Sequence, residues 1–188
     1  MKTYNELKLA QELIRFPTVK TEDKGIMKFL SKKLSSIGFR CKIIKSKGMG
    51  SKPALNLYGR YGKSKPHINF LGHTDVVANL NNWKIPPFKG VVRKGYLNGR
   101  GSQDMKGGIA CFISAISKFI KNKKFKGSIS IIIAADEETT GFGTPAIIKY
   151  LKKRRNRLFI LLSRKHTYRG SCKFRYWTNN VSNRKSYR

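Results

Sequence analysis

Apolar residues recur along the chain at two alternating spacings. Leu7, Ala10, Leu13 and Ile14 share one face of a helix that Pro17 ends. Ile26, Phe29, Leu30, Leu34 and Ile37 repeat that spacing, with Gly38 placed to cap a second helix. The period then shortens. Residues 39–44 and 54–61 predict strands, 62–66 a turn, and 68–71 a buried strand running into Gly72 and His73. Residues 79–89, rich in Asn and Pro, read as a loop anchored by Trp83 and Phe88, and two short extended pieces follow at 91–93 and 96–97. Met105, Ile109, Phe112, Ile113, Ile116 and Ile120 mark the inward face of a long helix with Asp104 at its N-cap. Residues 128–135 form a β-branched strand ending at Asp136, and 145–151 open a further helix.

Helices and strands thus alternate over residues 1–151. The pattern predicts an α/β fold with a mixed, mainly parallel central sheet flanked by helices, in which binding groups collect at strand ends. Residues 152–188 keep one apolar patch, 158–162, and then lose all periodicity.

Charge sharpens that boundary. The chain holds 41 basic and 9 acidic residues, a formal net charge of +32, which raises nucleic acid as a partner. All the acidic residues lie within 1–151, whereas 152–188 is purely basic and favours Arg over Lys. Residues 1–151 are therefore expected to be a folded domain and 152–188 a basic tail. Phe174, Tyr176 and Trp177 among its cations would suit a single-stranded nucleic acid, which is the competing, non-enzymatic reading. Cys41, Cys111 and Cys172 are scattered and odd in number, which excludes a disulfide framework. The longest apolar runs are too short to cross a bilayer, and the first residues lack the apolar core of a signal peptide. The expected compartment is the cytoplasm.

Within this basic chain, Asp75, Asp104, Asp136, Glu137 and Glu138 concentrate at three element ends. His73 and Asp75 are two apart, so on extended backbone they point to one side. An imidazole can bind zinc through one nitrogen while a carboxylate holds the other. Asp104, with two carboxylate oxygens, can bridge two cations. Of the adjacent Glu137 and Glu138, one can bind metal while the other takes a proton from the reacting water and returns it to a leaving amine. Singly, each has a plainer reading: a structural histidine, an N-cap, a solvated acidic loop. Together, in this order, they are more specific.

The stretches Phe70-Leu-Gly-His-Thr-Asp-Val-Val77, Trp83, Pro87-Phe88, Asn98-Gly-Arg-Gly-Ser-Gln-Asp-Met-Lys-Gly-Gly-Ile-Ala-Cys-Phe112 and Asp136-Glu-Glu138 resemble the co-catalytic zinc amidohydrolases of the aminoacylase/carboxypeptidase group (M20-type metallopeptidases). Within the group they look most like the branch that hydrolyses N-succinyl-LL-2,6-diaminopimelate in lysine and diaminopimelate synthesis; acetylornithine-type deacylation is the near alternative. The resemblance implies His73 and Glu138 as ligands of different metals and Asp104 as their bridge. It further implies Glu137 as general acid/base, Asp75 as the residue orienting His73, and a cis peptide after Asp104. The metals it implies are two Zn2+, with Co2+ possible, and the substrate a small N-acyl amino acid.

The tail departs from that pattern. Family members continue beyond the glutamate pair to a further Asp or Glu, a lid that also forms a homodimer, and a last histidine ligand. Here residues 158–166 carry no carboxylate, and only His166 stands nearby. Residues 152–188 are therefore expected to be an out-of-frame or degraded continuation, leaving the activity of this chain impaired.

Overall fold

The computed structural model describes residues 1–48, 53–78, 81, 83–122 and 125–153. The expectations for 158–162, for His166 and for the aromatic residues of the tail lie outside these residues.

Helix α1, Glu6–Ile14, starts at Asn5, whose side chain accepts from the Lys8 amide at 2.9 Å. It buries Leu9, Ala10, Leu13 and Ile14, while Leu7 is turned to solvent, one position off the expected face. Helix α2, Ile26–Ser35, follows a turn in which the Asp23 carboxylate accepts from the Gly25 and Met27 amides. Strands β1, Arg40–Ser46, and β2, Ala54–Tyr61, form an antiparallel pair. Strand β3, His67–His73, leads into the first motif. A small hairpin of β4, Val91–Arg93, and β5, Tyr96–Asn98, turns through Lys94 and Gly95, both at positive φ, as a tight two-residue loop requires. Helix α3, Lys106–Asn122, strand β6, Ser128–Ala134, and helix α4, Gly143–Lys153, complete the described elements.

The main sheet has the order β1-β2-β6-β3. It is mixed and flanked by helices, as expected. Its parallel ladder is β3–β6, joined through a crossover containing α3. The ladders β1–β2 and β2–β6 are antiparallel, so parallel pairing is not the majority among these strands. That balance cannot be read from alternation alone, because β6 inserts between β2 and β3. The interior strand β6 is buried along its whole length, which explains its continuous Ile-rich run. On one face Leu57, Phe70, Ile131 and Ile133 pack with α1, α2 and α3; on the other, Tyr58 and Ile132 meet Ile147 and Leu151 of α4. The result is a three-layer α/β arrangement. No described helix is long and apolar enough to cross a membrane.

Candidate metal centre

The parallel ladder places the site. His73 is registered beside Ala134, so the segments leaving β3 and β6 emerge side by side. The Thr74 amide donates to the Ala134 carbonyl at 3.0 Å, prolonging the ladder by one bond. Residues 74–76 and 136–138, some sixty positions apart in sequence, are thereby brought together.

Asp75 joins them. Its carboxylate is buried and accepts from the Glu137 amide at 3.1 Å through Oδ1 and from the Glu138 amide at 2.7 Å through Oδ2. The same Oδ1 lies 3.5 Å from His73 Nδ1, which is 3.2 Å from the Asp75 backbone oxygen. One carboxylate thus fixes both the imidazole and the backbone that carries the two glutamates. Such a partner sets ring direction and tautomer.

The opposite nitrogen, His73 Nε2, faces outward into acid. Asp104 Oδ1 is 3.0 Å away and Glu137 Oε2 is 3.8 Å away. The His73 side chain is 6% exposed, whereas Asp104 and Glu137 are 42% and 48% exposed. The site therefore has a buried floor and an open carboxylate rim. Among the described residues, His73, Asp104 and Glu138 offer one ligand atom each within 4.8 Å of one another. Glu137 stands beside that group.

Asp104 reaches the site by a route different from the one expected. Helix α3 begins at Lys106, two residues later, and the Lys106 amide bonds the Gly101 carbonyl at 2.9 Å. Asp104 thus lies in the turn ahead of the helix, not at its N-cap, and its carboxylate is turned toward His73. The Asp104–Met105 peptide is cis, as the resemblance implied.

The electrostatics suit a cation at Nε2. Burial by itself pulls the imidazole toward its neutral form, but the Asp75 hydrogen bond and the charges of Asp75, Asp104 and Glu137 outweigh it, raising the His73 pKa to about 9. A group that holds a proton this firmly is surrounded by the negative field a divalent metal also needs. The imidazole and carboxylate donors are those of a divalent site, so the residues present fit the metal.

Two buried charged residues have roles that spacing does not give. Asp136, grouped by sequence with the glutamates, is fully buried and faces away from them. It accepts from Thr140 Oγ1 and the Phe142 amide through Oδ2, and from the Gly143 amide through Oδ1 at 2.8 Å, so it caps α4. Thr140 and Gly143, spaced for a capping turn, were the available signal. The second is Lys106, which is completely buried. Two following glycines permit close packing there, but nothing in the pattern marked a lysine as interior.

The sequence pattern of peptidase family M20/M25/M40 matches residues 70–171. The succinyl-diaminopimelate desuccinylase of Pelagibacter ubique is 48% identical over 162 residues, covering 84% of this chain and 42% of that protein. The desuccinylase of Ehrlichia chaffeensis is 44% identical over 147 residues, covering 76% and 38%. The chain therefore spans about two fifths of the length of these curated relatives. Human carnosine dipeptidase 1 has a similar fold with a TM-score of 0.70 at 20% identity, over 79% of this chain and 35% of that one. An M20 family metallo-carboxypeptidase from Sulfolobus solfataricus gives 0.67 at 20% identity, over 82% and 35%.

Proposed function

The chain belongs to peptidase family M20/M25/M40, and from that premise we propose that it carries the front part of an amidohydrolase site acting on N-succinyl-LL-2,6-diaminopimelate. The observation that carries the reading is the convergence of His73, Asp104 and Glu138 within 4.8 Å around a histidine backed by Asp75. The names of the curated relatives support the succinyl substrate.

In this reading His73 and Glu138 would hold different divalent ions, Zn2+ by preference or Co2+, and Asp104 would serve both. A bound divalent metal would acidify a water molecule and polarise the amide carbonyl. Glu137, half exposed beside Nε2, is placed to take a proton from a water molecule as the water oxygen adds to the amide carbonyl carbon. The same carboxyl then gives the proton to the amine nitrogen as the C–N bond breaks, leaving succinate and the free diamino acid. Asp75 touches no substrate; it holds the His73 ring and, through two amides, the backbone of both glutamates. The partner is then a small N-acyl amino acid and the place of action the cytoplasm.

The test is zinc stoichiometry on the purified chain, with Asp104→Ala as control and desuccinylation assayed on the same sample. Zinc retained by the wild type and lost by Asp104→Ala is expected; a folded chain that retains no zinc overturns the reading. Faster release of succinate from N-succinyl-diaminopimelate than of acetate from N-acetylornithine is the expected acyl preference.

A further inference from the structure

Lys106 occupies the first turn of α3 with no exposed surface. Both facts disfavour a cation. Burial removes its hydration, and the N-terminal end of a helix carries positive partial charge. Three features offset part of that cost, although burial still leaves the Lys106 pKa lowered to about 8. Its Nζ donates to the Phe16 carbonyl at 2.7 Å, the Asp75 carboxylate attracts it, and the Phe88 ring centre lies 5.9 Å away. Its methylene stem runs over Gly101, which adopts φ +82 and where a Cβ would come within 3.1 Å of Lys106 Cδ and of Val76 Cγ1. An apolar side chain would fill this space at lower cost, so the ammonium calls for a separate account.

The Phe16 carbonyl begins a short segment that is stitched to the Asp75 loop on both sides. Thr18 Oγ1 donates to the Thr74 carbonyl at 2.6 Å. The Val76 amide donates to the Thr18 carbonyl at 3.0 Å, and the Lys20 amide to the Val76 carbonyl at 3.1 Å. Val19 and Val76 form a parallel bridge. Asp75 sits between the two stitched residues, and its carboxylate in turn holds the Glu137 and Glu138 amides. Lys106 is two residues from Asp104. A continuous path therefore runs from the Asp104 turn through Lys106 to residues 16–20, to residues 74–76, and on to the glutamate pair.

We propose that Lys106 is a positioning residue for the metal centre: its buried ammonium clamps residues 16–20 against the Asp75 loop and so fixes the separation of the three ligand-bearing segments. The inference rests on the metal-site reading for its functional meaning, but the clamp itself can be read without metal.

Lys106→Met, which keeps the stem and removes the ammonium, Thr18→Val, and the double variant are compared in the full chain. Amide hydrogen exchange at Val76, Glu137 and Glu138 is measured on metal-free protein, and Zn2+ affinity by competition with a chelator. Each single variant is expected to speed exchange at these amides and to weaken zinc about tenfold, the size typical of outer-shell partners. Because both act in one path, the double variant should be little weaker than the worse single one. Ile113→Val, a packing change on the same helix, should leave both readouts unchanged. Unchanged exchange in a folded variant, or additive effects in the double one, overturns the clamp. If Lys106→Met does not fold, Lys106→Gln, which removes the charge but keeps a polar end, takes its place with the same expected losses and the same overturning result. Faster exchange in the variants together with a wild type that binds no zinc would uphold the clamp and remove the metal reading instead.

Discussion

Strand β3 begins and ends with a histidine, and the two have opposite fates. His67 and His73 lie on the same face of one strand, His67 against two serines of β6 and His73 against carboxylates that follow β3 and β6 or precede α3. His67 is half-buried, with Nδ1 2.9 Å from Ser128 Oγ and Nε2 3.0 Å from Ser130 Oγ. Burial and then the nearby Arg60 guanidinium push its pKa down. His73 is more deeply buried, yet carboxylates hold its pKa at about 9. Burial alone would have made both neutral. The difference lies in what the fold brings to each end: strand hydroxyls and an arginine at one, three loop carboxylates at the other.

The largest expected effect comes from breaking the His73 end. Asp75→Ala removes the partner of a buried histidine and leaves the Glu137 and Glu138 amides unpaired. It should cost about 3–5 kcal/mol, the range for breaking a buried pair, and weaken zinc roughly 100-fold. Urea unfolding and a chelator-competition titration measure the two losses.

Next in size is the pH response of the metal-free protein. A histidine whose folded pKa is raised stabilises the fold fully below its ordinary value of 6.5, and the benefit is lost as pH rises through about 9. Stability should thus fall between those limits by on the order of 3 kcal/mol, and His73→Gln should flatten that fall. His67 has the opposite sign. Its folded pKa is depressed, so its neutral form is favoured; stability is present above 6.5 and is lost as pH falls through the lowered value. His67→Gln should reduce the acid-side loss and leave the alkaline side alone. Denaturant midpoints followed against pH separate the two.

Asp136→Ala sharpens the comparison from within the acidic run. It removes the cap of α4 and leaves the Phe142 and Gly143 amides unpaired, at about 2 kcal/mol. Zinc affinity should stay within about twofold of wild type, because this carboxylate does not face His73; the accompanying change in free energy would be under about 0.5 kcal/mol. The smallest effect is Ser130→Ala at the His67 end. It removes one hydroxyl that serves His67 Nε2 and Asn69 Oδ1 and should cost about 1 kcal/mol, without change in metal binding.

These contrasts also mark what could be read in the sequence. Element types and most of their inward faces were legible because each follows from spacing within one segment. His73 and the glutamates were legible as strand-end residues because β3 and β6 are clear apolar runs. What spacing cannot give is partnership between distant segments. The insertion of β6 between β2 and β3 is of that kind, as is the turning of Asp136 toward α4 while its two neighbours face the histidine. On local grounds Asp104 reads as an N-cap, whereas its carboxylate meets His73 across 31 residues of chain. Lys106 was missed for the same reason, since the groups that make its burial tolerable lie at Phe16, Asp75 and Phe88. Leu7 shows that even a correct helical period leaves the rotation of the inward face uncertain by one position.

The crossover between β3 and β6 has a consequence for how the protein is made. Asp75 and Glu137 meet across 62 residues of chain, and the hairpin β4–β5 and helix α3 must be accommodated before they do. Closing so long a loop is an entropic cost borne before any ligand atom finds its neighbour, and such non-local pairings form slowly. The cluster of His73, Asp104 and Glu138 should therefore be among the last features to assemble on folding. An ion added to the unfolded chain would meet Asp75, Asp104 and the 136–138 acidic run far apart and find no cage, so it should leave the folding rate nearly unchanged and act by slowing escape from the finished state.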